Sequence, residues 1–506
     1  MKTKQFKVLL VYPNLMLVSL LPNNIALLSA CLKESGIDVK VFDTTLYQTE
    51  EKSNDELRVD RLQVRKFNIN DAGIKLKKEN IFTDFNKLVE EYKPNLVGVS
   101  VVDDTVELGL KLIESADIYG KIPTIFGGVN AMLNSTKLIK NKYVDMICMG
   151  EGEHVLVEVC KELKKGFDWK SRIKSIDNLV YIDDNGLTIK NKLRVPADLN
   201  TLPYEDFSVF EEQRLYRPMQ GKMISMIPIN FDRGCPYTCT FCGAPAILSL
   251  YKEQNHKYYR VKSIDRIREE MKYQISKYDI SYFYFNSETF LAMSKDKLQE
   301  FSEMYKEFNL PFWCQTRIET ITDEKIKLLK EMNCDRLSIG VEHGNEEFRK
   351  KILHKKFTNK QVVDAFKIFN KYKLKVSVNN IIGFPEETRE LIFDTIKLNK
   401  QINVDSINGF VFQPYKGTYL RNYCIEKGYL SENNNETSNP IGYSLLNMSQ
   451  ISKEEIEGLI RTFVLYIKLP EEYHSKIKIA EQLDEKGDEM LCELTDVLYD
   501  KYYFKD

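Results

Sequence analysis

The sequence lacks the features that would place the protein in a membrane or in an oxidising compartment. No apolar run reaches the roughly 18 residues that predict a transmembrane helix. The 10 cysteines among 506 residues are too dilute for a disulfide scaffold. Lysines precede the apolar residues 8–11 as in a secretory signal, but Pro13, Asn14 and Pro22 interrupt the stretch. We therefore predict a cytoplasmic protein, in which clustered cysteines indicate metal binding or catalysis.

The sequence also lacks an excess of either charge. Lys plus Arg total 73 and Asp plus Glu total 74, so the net charge is −1. This balance disfavours a general nucleic-acid binder, which would be basic. Hydrophobic residues make up 43% of the chain, too many for a disordered protein. The length predicts about three domains.

Residues 1–165 alternate between short apolar runs and helical patterns. This alternation predicts a doubly wound parallel sheet. Residues 44–80 interrupt it with many charges, which indicates an insertion or a lid. Residues 166–222 are interpreted as a linker, in which the turn at 183–186 joins two short strands. The predicted strands cover 6–12, 39–42, 96–102, 123–126 and 144–149, and the predicted helices cover 24–34, 106–116 and 153–164.

A second alternating series begins at residue 223. Six strands with helices between them predict a complete or partial α/β barrel over 223–425. Residues 426–506 show helical patterns without a motif and are predicted to form a C-terminal helical region. The predicted strands cover 224–231, 281–286, 311–317, 336–341, 375–382 and 407–412.

Three cysteines follow the first predicted barrel strand. Cys235, Cys239 and Cys242 have C-x3-C-x2-C spacing, and soft thiolates favour zinc or iron–sulfur. Zinc needs a fourth ligand, but the nearest histidine, His256, lies 14 residues after Cys242. The alternative of three buried structural cysteines requires this spacing to arise by chance. Three thiolates on a four-iron cluster leave one iron open, which suits activation of a small molecule.

The loop at residues 233–242, Arg-Gly-Cys-Pro-Tyr-Thr-Cys-Thr-Phe-Cys, resembles that of the radical S-adenosylmethionine (SAM) superfamily. The match includes the aromatic Phe241 before the last cysteine. The resemblance implies that the three cysteines hold a [4Fe-4S] cluster whose open iron binds the methionyl end of SAM. It also implies reductive cleavage of SAM to a 5′-deoxyadenosyl radical, and an electron donor such as flavodoxin or ferredoxin.

Downstream segments extend this resemblance. Glu288 corresponds to an acidic position that meets the methionyl amine, although Ser287 stands where a first acid is expected. Arg317 corresponds to a basic position that contacts carboxylate or ribose, and Glu342 to one that bonds ribose hydroxyls. His343 departs from the usual serine and is either a proton donor or a core residue. Taken singly, each acid at a strand end could instead be an ordinary solvated side chain.

The predicted N-terminal sheet offers ligand contacts at the carboxyl ends of its strands. No G-x-G-x-x-G follows the first strand, which disfavours a dinucleotide, and the glycines could instead be structural caps. The pattern resembles the cobalamin-binding domain fused ahead of radical SAM barrels. The D-x-H-x-x-G motif is absent and only His154 lies in this domain, so the resemblance implies cobalamin without that histidine ligand. The candidate contacts are Ser100, Gly127, Gly128, Glu151 and Gly152.

Together these resemblances imply a cobalamin-dependent radical SAM methyltransferase. One SAM would methylate cobalt, and a second would supply the radical that abstracts hydrogen from the substrate. The substrate would be a small molecule or a peptide, and its unactivated carbon, or phosphorus, would then take the methyl group. The alternatives are radical cyclisation, ring contraction or oxidation, and a non-catalytic corrinoid or cluster carrier. Formation of 5′-deoxyadenosine separates the enzymes from the carrier.

Overall fold

The protein contains two seven-stranded sheets followed by a group of helices. The structure is a computed structural model that describes residues 5–18, 20–166, 169–434, 436 and 438–503. No helix within these ranges is long and apolar enough to span a membrane. The α/β class, with an N-terminal parallel sheet, a partial barrel and C-terminal helices, is confirmed.

The first sheet has the order β2-β1-β3-β4-β5-β6-β7. Its strands are β1 (Lys7–Tyr12), β2 (Asp38–Asp43), β3 (Leu96–Ser100), β4 (Thr124–Gly127), β5 (Met146–Cys148), β6 (Leu179–Ile182) and β7 (Thr188–Lys190). Strands β1 to β5 are parallel to one another, β6 is antiparallel to β5, and β7 is antiparallel to β6. The helices are α1 (Asn23–Glu34), α2 (Asn54–Asp60), α3 (Ile81–Tyr92), α4 (Val106–Ser115), α5 (Val129–Leu133), α6 (Ser135–Leu138), α7 (Glu153–Leu163) and α8 (Trp169–Arg172).

Burial on both faces explains why apolar runs form this sheet. Val8, Leu9 and Val11 in β1 are fully buried, as expected for a parallel strand covered by helices on both sides. The sheet continues past residue 165 into the range that the sequence analysis treated as linker, because β6 pairs with β5.

The second sheet has the order β16-β15-β14-β13-β12-β9-β8. Its strands are β8 (Tyr216–Met219), β9 (Lys222–Asn230), β12 (Tyr282–Asn286), β13 (Phe312–Thr316), β14 (Cys334–Glu342), β15 (Lys375–Ile382) and β16 (Ser406–Val411), while β10 (Asp232–Arg233) and β11 (Arg260–Val261) form a separate pair. All strands of the second sheet except β8 are parallel to their neighbours. The sheet remains open between β8 and β16, so the barrel is partial.

The barrel helices start with side-chain caps. They are α9 (Gly243–Lys252), α10 (Ile264–Lys277), α11 (Lys295–Tyr305), α12 (Asp323–Glu331), α13 (Glu346–Lys351), α14 (Asn359–Lys371), α15 (Arg389–Lys400) and α16 (Tyr419–Glu426), followed by α17 (Lys453–Lys468), α18 (His474–Ala480) and α19 (Glu485–Leu498). Thr322, Thr358 and Thr388 each accept a backbone N–H of the first turn. These turns follow the carboxyl ends of the strands, the edge where barrel active sites lie.

Residues 44–80 contain α2 and are bound to the edge strand of the barrel. Gln63 donates to the Gly409 carbonyl at 2.9 Å, and Ser406 donates to the Gln63 carbonyl at 3.0 Å. Arg58 donates to Asn408 at 3.0 Å. This anchoring corresponds to an insertion that covers the open side of the barrel.

The loop after β3 connects the N-terminal sheet to the barrel. Asp103 accepts from the Lys416 backbone N–H at 2.7 Å. Burial, with a further contribution from Asp103, raises the pKa of Asp104 from 3.8 to about 7. Its Oδ1 has no hydrogen-bond partner within the described ranges.

Replacing Asp104 with asparagine is expected to stabilise the protein at alkaline pH. The unfolded carboxyl ionises near 3.8 and the folded one near 7, so the free energy of unfolding falls as pH rises between these values. Asp104→Asn removes this loss and should gain up to about 4 kcal/mol at pH 8, with a smaller gain at pH 5. Urea unfolding at both values checks this, and parallel pH profiles of wild type and variant would contradict it.

Candidate active site

The two sheets meet around a cavity of about 670 Å³. The carboxyl ends of N-terminal strands line one side, and the ends of β9 and β12 with the start of the cysteine loop line the other. Six predicted site residues lie together on its wall, namely Ser100, Gly127, Gly128, Glu151, Gly152 and Glu288. Phe241, Arg317 and Glu342 lie around or beyond the cysteine loop, outside the cavity wall.

Gly127 and Gly128, two neighbouring residues of the cavity wall, differ in the space that a Cβ atom would have. A Cβ on Gly127 would meet no atom within 4 Å, so its position faces open space. A Cβ on Gly128, whose φ is 94°, would lie 2.5 Å from the Val101 carbonyl oxygen. Gly128 is therefore needed by the chain itself, whereas Gly127 leaves room for a ligand.

Glu151 joins the N-terminal sheet to the cysteine loop. Its carboxylate pairs with Arg233 at 2.9 Å and with Arg260, and accepts from the Ala197 backbone N–H at 2.9 Å. Burial acts to raise the pKa of Glu151, but the two guanidiniums hold it below its usual value. Because Arg233 comes two residues before Cys235, this ion pair positions the loop next to the cavity.

The cysteine loop runs from β10 to α9 and is anchored on both sides. Cys242 is the N-cap of α9, with Sγ 3.4 Å from the Ala244 nitrogen. Thr240 donates to the Ile352 carbonyl at 2.6 Å. Phe241 packs edge-on against Phe384, with ring centroids 5.9 Å apart. The loop is thus held between the barrel turns with its three cysteines in their predicted region.

Arg317 lies against the cysteines. Its Nη1 is 2.8 Å from Cys239 Sγ, and its guanidinium stacks over the Tyr237 ring at 4.0 Å. Glu319 pairs with Nη2 at 2.6 Å. These contacts place the positive charge next to the Cys239 sulfur, where it would stabilise the thiolate form. The contact of Arg317 with SAM stays a prediction.

The three thiols are neighbours without forming a site for a single ion. Cys235 and Cys239 are close enough to Cys242 to raise its pKa, which burial brings to about 12. Within the described ranges, no three His, Cys, Asp or Glu side chains could hold one metal ion. A four-iron cluster instead bonds each thiolate to a different iron. Three cysteine thiols are the protein ligands that such a cluster with one open iron requires.

Glu342 is directed inward by a β-bulge. The register between β14 and β15 shifts between Gly340 and Glu342, and Glu342 has a φ of 66°. Its carboxylate folds back over Gly340, where a Cβ would collide with it, and pairs with Lys355 at 3.0 Å. The bulge at residues 340–342 thus turns the Glu342 carboxylate back toward Gly340 and Lys355.

Changing Glu342 to glutamine is expected to weaken SAM binding. Loss of a charged acceptor for ribose hydroxyls costs about 1.5–3 kcal/mol, so the dissociation constant should rise about 10- to 100-fold. Equilibrium dialysis with SAM measures this, and the cluster absorption spectrum should stay unchanged. Equal affinity in the two proteins would refute the ribose role.

Asp232 is a functional candidate that the sequence analysis missed. Ser287 donates to its carboxylate at 2.5 Å, and both residues line the cavity beside Glu288. Burial raises the pKa of Asp232 to about 7 although Ser287 acts in the opposite direction. Asp232, in the two-residue strand β10, thus places a carboxylate beside Ser287, where the sequence lacks the expected acid. Its place three residues before Cys235 was the only sequence signal.

His343 is a core residue in this structure. Its side chain is 0% exposed, stacks on Phe348 with centroids 4.3 Å apart, and lies 3.0 Å from Glu387. Glu387 in turn accepts the backbone N–H of Phe384 at 3.0 Å. The packing favours the core interpretation over the proton donor.

Comparison with known proteins agrees with this architecture. Residues 229–398 match the model of the Radical SAM superfamily. An uncharacterized methyltransferase of Pyrococcus horikoshii is 24% identical over 387 residues, which are 75% of this chain and 80% of that protein. The anaerobic magnesium-protoporphyrin IX monomethyl ester cyclase of Rubrivivax gelatinosus is 24% identical over 64% of this chain, and the match spans only 57% of that relative.

Two solved structures share the fold over nearly the whole chain. The radical SAM methyltransferase TsrM from Kitasatospora setae, with cobalamin and a [4Fe-4S] cluster, has a TM-score of 0.65 at 14% identity, covering 98% of this chain and 100% of TsrM. The cobalamin-dependent SAM radical enzyme OxsB has a TM-score of 0.64 at 14% identity, covering 98% of this chain and 72% of OxsB.

The fold and the cysteine loop thus define a two-domain enzyme in which a parallel sheet precedes a partial barrel. Residues 229–398 are a radical SAM domain, and the chain as a whole has the fold of the two solved structures named above. The radical SAM domain implies a [4Fe-4S] cluster and SAM as cofactors, as predicted.

Proposed function

We propose that the protein uses cobalamin and SAM to methylate an unactivated carbon, or phosphorus, of its substrate. The observation that carries this proposal is the 670 Å³ cavity, which opens between the N-terminal sheet and the cysteine loop. Both a corrin ring and the methionyl end of SAM would meet there. Similarity to the methyltransferases named above supports the same reaction class.

The cavity has polar groups that fit cobalamin. Glu153 and Glu205 are buried in its wall, and one carboxylate oxygen of each has no hydrogen-bond partner within the described ranges. The amide side chains of a corrin ring can donate to such acceptors. Gly127 offers open space to the flat macrocycle. His154 is exposed and does not line the cavity, which supports cobalamin without a ligand from His154.

The barrel residues fit the remaining cofactors. We assign Cys235, Cys239 and Cys242 to the [4Fe-4S] cluster, which when bound supplies the one-electron reduction of SAM. Arg317 would stabilise the Cys239 thiolate, Glu288 and Asp232 would receive the methionyl amine, and Glu342 would hold the ribose. Flavodoxin or ferredoxin is the class of electron donor that this chemistry needs.

A radical cyclisation is the second candidate, because the magnesium-protoporphyrin ester cyclase is similar to this chain at the same identity. The two reactions differ in the fate of the methyl group of SAM. Methyl transfer places it in the product, whereas a cyclisation does not.

Mass spectrometry with methyl-deuterated SAM tests the proposal. Reduced enzyme reconstituted with cobalamin should form 5′-deoxyadenosine, and candidate substrates should gain a deuterated methyl group. Cys239→Ala, which cannot hold the cluster, is the control and should form neither. Formation of 5′-deoxyadenosine with an unlabelled product would favour the cyclisation class, and no 5′-deoxyadenosine in wild type would favour a carrier.

A further inference from the structure

A second cavity, of about 280 Å³, lies inside the barrel. Inward side chains of β13 to β16 form its wall, among them Gln315, Arg336, Ser377 and Asn408. Residues of the 44–80 insertion and of the hairpin between β8 and β9 close it. The proposed cofactor sites do not use these side chains.

The wall of the barrel cavity carries a strong excess of positive charge. Four arginines line it against one carboxylate, that of Asp55, which already pairs with Arg58 at 2.7 Å. Arg65 is exposed, while the other three guanidiniums are partly or fully buried, and a protein interior seldom collects guanidinium groups without anions to compensate them. The four arginines are Arg58, Arg65, Arg217 and Arg336.

Two of these arginines keep unused hydrogen-bond donors. Arg336 is 4% exposed and bonds Ser377 at 3.4 Å, while its Nε has no partner within the described ranges. Arg217 stacks over the Trp313 ring at 4.9 Å and makes no hydrogen bond or ion pair with a described residue. Both guanidiniums are therefore fixed in place with donors available.

We propose that the barrel cavity binds an anionic group of the substrate, a carboxylate or a phosphate. The planar guanidiniums of Arg217 and Arg336 suit the paired oxygens of both groups. This assignment of a substrate class rests on the proposed function, because it takes the barrel interior as the path to the reacting carbon.

The register of the strands gives the length of such a substrate. Trp313, which lies opposite Arg336 in the sheet, comes four residues before Arg317, and Arg336 comes six residues before Glu342. A strand advances about 3.3 Å per residue, so the anion would lie roughly 13–20 Å below the strand ends. The substrate is thus elongated, with its acidic end in the barrel and its reacting carbon near the proposed SAM site.

Fluorescence of Trp313 tests anion binding without turnover. Trp169→Phe leaves Trp313 as the only tryptophan, since the chain has 2. The holoenzyme with this change is titrated with inorganic phosphate in one arm and propionate in the other. We expect a saturable change with at least one anion, and the arm that responds identifies phosphate or carboxylate.

Matched variants locate the response. Arg217→Met and Arg336→Met should weaken binding about tenfold or more, while Arg217→Lys, which keeps the charge, should weaken it less. Arg268→Met is the control, because Arg268 pairs with Asp265 and Glu307 outside the cavity, and it should bind as wild type. If Arg336→Met does not fold, the anion affinity of Arg217→Met tests the proposal by itself, because Arg217 is only half-buried.

No saturable change with either anion, or an unchanged response in Arg217→Met, would overturn the proposal. The titration needs no reductant and no methyl transfer. A failed methylation assay with intact anion binding would therefore count against the proposed function alone. Successful methylation without anion binding would count against the assignment of the barrel cavity alone.

Discussion

Alanine at Cys235, Cys239 or Cys242 is expected to abolish the iron–sulfur cluster. In the proposed cluster each thiolate would hold a different iron, so removing one would leave that iron without a protein ligand. Anaerobically purified wild type should be brown and contain about four iron and four sulfide. Each variant should lose the cluster absorption and form no 5′-deoxyadenosine, as measured by iron analysis and chromatography.

Other cysteines provide the controls for this expectation. Cys492 is exposed, and Cys314 is buried in the barrel core away from the loop, so their alanine variants should keep full iron. Arg317→Met tests the contact with Cys239 separately and should retain iron while shifting the cluster spectrum. Full iron in any of the three loop variants would refute the ligand assignment.

Much of the fold could be predicted because hydrophobic periodicity reports burial directly. The six barrel strands and the N-terminal strands lie within a few residues of their predicted positions. The short strands β6 and β7 were predicted on either side of the turn at 183–186, but the pairing of β6 with β5 was not, because no local pattern shows which sheet a hairpin joins.

The site was predictable only where a motif encodes it in consecutive residues. The cysteine loop is such a motif, since its spacing alone brings three thiols to one turn. Asp232 was missed because its side-chain contact with Ser287 joins residues 55 positions apart in the sequence. Arg317 was found, but its contact with Cys239 depends on packing that no local pattern shows.

The tertiary structure also distinguishes the roles of Gly127 and Gly128. The sequence suggested that Gly127 and Gly128 equally admit a ligand. The structure separates them, because only Gly128 adopts a positive φ against the Val101 backbone. A substitution at Gly128 would therefore disturb the fold and could not report on cobalamin.

A series of larger residues at Gly127 is expected to remove cobalamin in order of size. Gly127 ends β4, its φ lies outside the left-handed region, and its Cβ would project into the cavity. Ala should have little effect, Val should lower cobalamin content, and Leu should nearly abolish it, because each added methyl group enters space assigned to the macrocycle. Cobalamin retained after desalting is measured from its absorption spectrum.

Iron content and unfolding separate this loss from damage to the protein. The cysteines proposed to hold the cluster lie in the barrel domain, so iron should be unchanged throughout the Gly127 series. The free energy of unfolding should change by less than about 0.5 kcal/mol. Gly128→Ala, in contrast, should destabilise the protein even without cobalamin, since its Cβ would meet the Val101 carbonyl at 2.5 Å. His154→Ala should leave the cobalt spectrum unaltered, because His154 is exposed outside the cavity wall. Full cobalamin binding by Gly127→Leu would refute the assignment of the corrin ring to this cavity. The proposal of methyl transfer would then lose its main support.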